Sequence, residues 1–279
     1  MRDPVAYWRE SLESWAIPAE ILAAAPESPW TLPNRTFVAR AERQVAEPSG
    51  ESYERAAEAL PEHGSVLDVG AGAGAASLAL AAHLTRGADT VPLTAVDTNA
   101  TLLETLESLA RDQGLDVRTI VGRWPDVAEQ ATVADVVVCH HVLYNVADLA
   151  PFVTALSGYA RVRVVAEITE RHPMTPWNPL WWRFHGLARP TAPTATDAVA
   201  AIAALGYEPE VRRWERPASL DAMSFDELVA TTCQRLCLGR DRADEVADAL
   251  RDMGVDPATP TLGGSTRRLA TIWWPGRAA

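Results

Sequence analysis

Residues 66–74 read VLDVGAGAG, an apolar strand that carries one carboxylate, Asp68, and opens into a loop of alternating glycine and alanine. The alanine-rich run from Ala75 to Leu84 behind it has the composition of a helix. Gly70, Gly72 and Gly74 lack Cβ atoms, so the loop can turn tightly and lie against a ligand at the N-terminus of that helix. A strand, a glycine loop and a helix in this order cradle nucleotide-like cofactors. Asp68 narrows the choice, because a carboxylate two residues before the first glycine repels a pyrophosphate and attracts an ammonium group.

Gly70, Gly72 and Ala75 also fit the G-x-G-x-x-A pattern of dinucleotide sites, so the glycines alone leave both cofactor classes open. The next strand favours a ligand with a free ribose. Leu93 to Val96 form this second strand, ending in Asp97, which stands about 20 residues past the loop, the spacing of a ribose-binding acid. A third strand, Val117 to Val121, leads into Gly122-Arg123-Trp124, and a fourth, Asp135 to Cys139, into His140-His141-Val142-Leu143-Tyr144. Four strand ends in this order suit a cofactor site at one edge of a sheet.

Over residues 60–215 and the last strand, these motifs resemble the class I S-adenosylmethionine-dependent methyltransferases. The resemblance implies an α/β, Rossmann-like fold, with a mostly parallel sheet of seven strands and helices on both faces. It implies S-adenosyl-L-methionine as cofactor and S-adenosyl-L-homocysteine as product. By resemblance, Asp68, Gly70, Ala71, Gly72 and Gly74 wrap the methionine part, and Asp97 with Thr98 holds the ribose. Arg123 and Trp124 flank the adenine, and Cys139 faces the methionine end. Arg123 stands where many relatives carry an acid, so stacking on Trp124 replaces an acid's hydrogen bond to the adenine amine.

At 279 residues and 48% apolar content, the chain can bury one large core with an appended cap. The net charge is −12, and all 25 basic residues are Arg, a balance that weighs against a nucleic-acid partner. Cys139, Cys233 and Cys237 are an odd set without a Cys-x-x-Cys pair, which indicates neither a disulfide framework nor a metal site and suits the cytoplasm. The N-terminal MRDPVAYWRE is charged where a signal peptide is apolar, and no stretch is apolar enough to span a bilayer.

Residues 1–60, punctuated by Trp8, Trp15, Trp30 and several prolines, are expected to form an N-terminal helical cap on a cofactor domain at 61–279. Helix caps recur through that domain: Asn99, Asp148, and the capping boxes Thr194/Asp197 and Ser224/Glu227. Strands are expected at 161–169, 210–214 and 268–274, with a helical insertion at 222–253. The connection 171–193, RHPMTPWNPLWWRFHGLARPTAP, leaves the fifth strand at the cofactor edge. Long connections there are commonly functional lids. Its Trp177, Trp181, Trp182 and His185 are therefore expected to wall the acceptor pocket.

Methyl transfer from a sulfonium is an in-line displacement, and a base is needed only when the nucleophile holds a proton. His140 and His141 are the candidates, with Tyr144 as a hydrogen-bond donor. Strand alternation lets at most one of two adjacent histidines face the substrate. His172 is a weaker candidate; His63 and His83 are read as structural. The expected activity is methylation of an oxygen or nitrogen on a small-molecule acceptor. Two rivals stand beside it. A methyltransferase acting on RNA or protein would present Arg171, Arg183, Arg189, Arg212 and Arg213 as a patch, and a non-catalytic cofactor-binding protein would have a blocked acceptor pocket.

Overall fold

All four residues of the first strand, β1 (Val66–Val69), are buried, as a strand with parallel neighbours and helices on both faces requires. The computed structural model describes residues 2–31, 33–84, 91–221 and 223–278. After β1 come β2 (Leu93–Asp97), β3 (Val117–Val121), β4 (Ala134–His140), β5 (Ala160–Thr169), β6 (Glu210–Pro217) and β7 (Thr266–Pro275). They build a seven-stranded sheet in the order β3-β2-β1-β4-β5-β7-β6. β7 runs antiparallel to β5 and β6, and the β3-to-β5 pairs are parallel. The chain winds one way from β1 to β3 and the other way from β4, so the carboxyl ends of β1 and β4 flank the switch point where open α/β sheets bind ligands.

The helices are α1 (Pro4–Glu13), α2 (Ala19–Ala24), α3 (Asn34–Ala46), α4 (Glu51–Ala59), α5 (Ser77–Leu84), α6 (Ala100–Asp112), α7 (Leu149–Gly158), α8 (Asn178–His185), α9 (Ala195–Ala204), α10 (Phe225–Arg235) and α11 (Ala243–Asp252). Local chemistry sets several of their starts. Asn99 accepts from the Leu102 amide ahead of α6, and both capping boxes form ahead of α9 and α10. Asp148 precedes α7 without capping it, because its carboxylate pairs with Arg9 at 2.7 Å.

Helices cover both sheet faces. On one, Phe152, Val153 and Leu156 of α7, Ala198 and Ile202 of α9, and Trp8 of α1 pack on Leu67, Val137 and Ile272. On the other, Leu78 and Leu80 of α5, Leu103 and Leu106 of α6, and Ala56 of α4 pack on Val66, Val136 and Val165. Residues 2–60 are thus not a body apart. α1 lies on α7 and α9, α4 on β5, and α3 on α5 and α6 beside the glycine loop.

The connection 171–193 does not cover the cofactor edge. Residues 178–185 form α8, whose Leu180 and Trp181 are buried with Leu228, Cys233 and Leu236 of the α10 region and Val246 and Leu250 of α11. The segment expected as a lid and the helical insertion therefore share one apolar cluster. The cause is amphipathicity: a helix with this buried stripe needs an apolar partner, and α10 and α11 supply it. Among the described residues no helix is long and apolar enough to cross a membrane.

Candidate active site

The loop after β1 is fixed by its backbone. The amides of Gly70 and Ala71 donate to the Val96 carbonyl at 2.8 and 3.1 Å, and Gly70 and Gly72 take φ of 77° and 54°. A Cβ on Gly70 would lie 2.3 Å from Cγ2 of Val142, so both conformation and space require glycine there. Gly74 serves packing instead: its Cβ would meet Leu78 at 2.8 Å, and it lies outside the cleft wall.

Two acids flank this loop with opposite bonding. Asp97, at the end of β2, accepts from the Gly72 amide through Oδ2 and from the Asn99 amide through Oδ1, each at 2.8 Å. A carboxylate offers about four acceptor positions, so each oxygen keeps one for a ligand hydroxyl. Asp68 accepts from the Ser77 hydroxyl at 2.6 Å through Oδ2, while its Oδ1 is buried without a hydrogen-bond partner among the described residues. Burial pushes the Asp68 carboxyl up to about 7, against the Ser77 bond.

A cleft of about 980 Å³ opens over these residues. Asp68, Gly70, Ala71, Gly72, Asp97, Thr98, Arg123 and Trp124 all border it. Trp124 is mostly buried, and its indole Nε1 has no partner among the described residues. The rest of the lining includes parts of the chain that carry no recognisable cofactor motif: Trp30, Phe37 and Arg40 of the N-terminal segment, and Trp214 and Arg216 of β6. A helical stripe, Phe37, Val38 and Ala41, is the sequence signal for α3; its packing on Ala73 and Leu102 brings Arg40 to the cleft.

Both histidines, His140 at the end of β4 and His141 just after it, border the cleft, contrary to the alternation expected of a strand. The chain turns at His141, whose φ is 59°, and strand geometry ends before it. His140 is neutral: burial holds its imidazole down at about 4, with the nearby Arg40 charge acting in the same direction, and its Nε2 is buried without a partner among the described residues. His141 sits with Nε2 3.2 Å from Oε1 of Glu167 on β5. Glu167 also borders the cleft and was not legible as a site residue from motif spacing. Burial acts to raise its carboxyl, but the His141 hydrogen bond, the imidazole charges and the Ser52 hydroxyl outweigh it and hold it at about 2.

The remaining expected site residues are placed elsewhere. Tyr144 is buried, stacked on Trp8 with its hydroxyl donating to the Thr169 carbonyl at 2.9 Å, so its proton already has an acceptor. Cys139 is fully buried in the sheet core, and burial pushes its thiol up. Trp177 donates to the Thr232 hydroxyl at 3.2 Å, Trp181 is buried, Trp182 faces solvent, and His185 Nε2 pairs with the Leu236 carbonyl at 2.7 Å. None of these borders the cleft. His172 stacks on Trp15 at 3.9 Å between centroids, and the His83 side chain lies outside the described residues. Among the described residues no three His, Cys, Asp or Glu side chains gather as metal ligands.

The buried, unpartnered Oδ1 of Asp68, the glycine cradle and the acceptor capacity of Asp97 fit a ligand with an ammonium and a ribose. A family model described as a methyltransferase domain matches residues 66–163. No curated protein matches the chain in sequence. In fold the chain is similar to the YcgJ protein from Bacillus subtilis, with a TM-score of 0.53 and 18% identity over 82% of this chain and 99% of that one. TehB from Haemophilus influenzae is similar at a TM-score of 0.51 and 13% identity, covering 85% of this chain and 67% of that one. A SAM-dependent methyltransferase from Thiobacillus denitrificans, solved in complex with S-adenosyl-L-homocysteine, is similar at 0.53 and 18%, covering 88% and 99%. The residues that match the methyltransferase-domain model run from β1 into β5 and hold the glycine loop and both acids beside it, and the fold is shared with S-adenosylmethionine-dependent methyltransferases.

Proposed function

We propose that the protein transfers the methyl group of S-adenosylmethionine to an oxygen or nitrogen of a small-molecule acceptor. The observation that carries this reading is the cleft itself, about 980 Å³ and lined beyond the glycine loop by Trp30, Phe37 and Trp214. Pockets for single drug-sized ligands span roughly 300–1,000 Å³. A cleft at the top of that range accommodates a donor with a small acceptor beside it. It also weighs against a non-catalytic protein, whose acceptor space would be blocked.

The donor brings an activated methyl group on a sulfonium. The chain's own residues bind and orient it: Asp68 faces the ammonium, Asp97 and Thr98 the ribose hydroxyls, and Arg123 and Trp124 the adenine. Helix α3 and Trp30 act as the cap that excludes water, so that the nucleophile is held against the methyl group in a dry site. A macromolecular acceptor finds less support. Arg183 pairs with Asp252 at 2.7 Å, Arg212 with Glu51 at 4.0 Å and Arg213 with Glu170 at 3.1 Å, while Arg189 bonds the carbonyls of Trp15 and Ala16. These arginines bind their own fold rather than form a patch. Three free, buried cysteines suit a reducing compartment, and we place the reaction in the cytoplasm.

Calorimetry tests the donor: S-adenosylhomocysteine should bind more tightly than NAD, and the reverse order would sink the assignment. Radiolabelled S-adenosylmethionine incubated with fractionated extract tests the acceptor. Label is expected in the small-molecule fraction; label confined to RNA or protein would refute that part.

A further inference from the structure

Three separate elements bring together Ser52 of α4, Glu167 of β5 and His141 after β4, the last two bordering the cleft. Both carboxylate oxygens of buried Glu167 are engaged: Oε2 accepts from the Ser52 hydroxyl at 2.5 Å, and Oε1 faces Nε2 of His141 at 3.2 Å. An ionised carboxylate can only accept, so the 3.2 Å contact with Oε1 favours the proton on Nε2 of His141. In the neutral ring the lone pair is then on Nδ1. The backbone holds the ring from a second side, because the His141 amide donates to the Glu167 carbonyl at 2.6 Å. His141 also keeps a left-handed φ of 59°, a conformation that costs a side chain on the order of 1–2 kcal/mol. Such strain persists only where the surrounding structure over-determines it, and it clusters at active sites.

We propose that His141 is the general base for an acceptor hydroxyl, that Glu167 is the positioning residue that sets its tautomer, and that Ser52 fixes Glu167. This rests on the methyl-transfer reading and narrows its acceptor to an alcohol or phenol. A carboxylate or an unprotonated amine needs no base. In the step, the acceptor O–H bond breaks and its proton passes to Nδ1 of His141 as the oxygen bonds the methyl carbon. The bond from that carbon to sulfur breaks with its electron pair left on sulfur. The positive charge that began on the sulfonium ends on the imidazolium, which the Glu167 carboxylate faces. His140 is a poorer base, since burial disfavours the imidazolium that proton uptake would form.

The test reads the tautomer directly and needs no acceptor. The full chain is labelled with ¹⁵N-histidine and examined by long-range ¹H–¹⁵N NMR at alkaline pH, with His141 assigned by its absence in His141→Asn. Wild type should show the Nε2–H form. In Glu167→Gln the single amide oxygen remains with the Ser52 hydroxyl and the amide N–H₂ meets Nε2, so the ring should switch to Nδ1–H. Label transfer into the small-molecule fraction of extract should fall by roughly 10²–10⁴-fold, while S-adenosylhomocysteine affinity changes less than about twofold. An Nδ1–H ring in wild type, or an Nε2–H ring unchanged in Glu167→Gln, overturns the proposal. Should the variant not fold, the wild-type tautomer decides alone. Failure of wild type to bind S-adenosylhomocysteine would instead refute the methyl-transfer reading and leave the tautomer result standing.

Discussion

Truncating Trp181 and Trp182 separately distinguishes a core helix from a lid. Trp181 is 1% exposed and Trp182 64% exposed, although they are adjacent on α8. Trp181 contacts the α10–α11 cluster, lies 4.9 Å from the His185 ring, and has the Arg189 guanidinium 5.0 Å over its face. Burying a tryptophan removes about 150–250 Å² from water, worth roughly 4–6 kcal/mol at about 25 cal/mol per Å². The alanine keeps one carbon and the site partly collapses, which brings the expected loss for Trp181→Ala to about 3–5 kcal/mol. Trp182→Ala should stay within about 0.5 kcal/mol. Urea unfolding followed by circular dichroism reads both, and calorimetry with S-adenosylhomocysteine under folded conditions should give wild-type affinity for each. If Trp181→Ala keeps its stability yet loses methyl transfer, α8 reaches the acceptor in solution and the packing argument fails.

The strand-end acids carry two further expectations. Asp97→Ala should weaken S-adenosylhomocysteine binding by about 1.5–3 kcal/mol, the scale of hydrogen bonds to a charged group; unchanged affinity in calorimetry would remove Asp97 from the ribose site. Asp68, raised by burial from its ordinary 3.8 to about 7, binds more protons folded than unfolded across that window, so its contribution to stability falls as pH rises from 4 to 7. A ligand ammonium needs the carboxylate. S-adenosylhomocysteine affinity should therefore rise from pH 5 to pH 8 with proton release near pH 6, and Asp68→Asn should flatten the profile. A wild-type affinity independent of pH would place the ammonium elsewhere.

The donor half of the site is legible in the sequence because its physics is local. Glycines with positive φ, an acid two residues before them and a second acid after the next strand all lie within one β-α-β unit. The facing half is assembled over long distances, and each of its signals has a competing local meaning. The 171–193 segment, rich in proline and tryptophan, has the composition of a loop. Pro179, however, stands in the first turn of α8, where the ring is tolerated, and Leu180 and Trp181 form the buried stripe. Glu167 is the converse case: an acid inside the apolar run VVAEI of a central strand is costly to bury unless paired. That cost singles it out as a candidate site residue where spacing does not. His141 escapes the alternation rule because one left-handed residue ends the strand and turns the next ring inward.

Bonding among the buried polar groups divides the cleft by role. Asp97 and Glu167 have both carboxylate oxygens engaged by the protein, so they shape the site before any ligand arrives. Asp68 Oδ1, His140 Nε2 and Trp124 Nε1 are buried without partners among the described residues, and all three residues border the cleft. Leaving a buried polar atom unsatisfied costs about 1–3 kcal/mol, a large share of the roughly 5–15 kcal/mol that holds a fold together. One such atom is an acceptor, one a donor and one, on a neutral imidazole, either. A ligand that offers a cationic donor beside Asp68 and an acceptor near Trp124 recovers what the fold gives up. Among the described residues Thr175 Oγ1 and Asn178 Oδ1 are equally unpartnered but lie outside the cleft wall, so a missing partner marks a candidate ligand contact only where the atom's residue also borders the cleft.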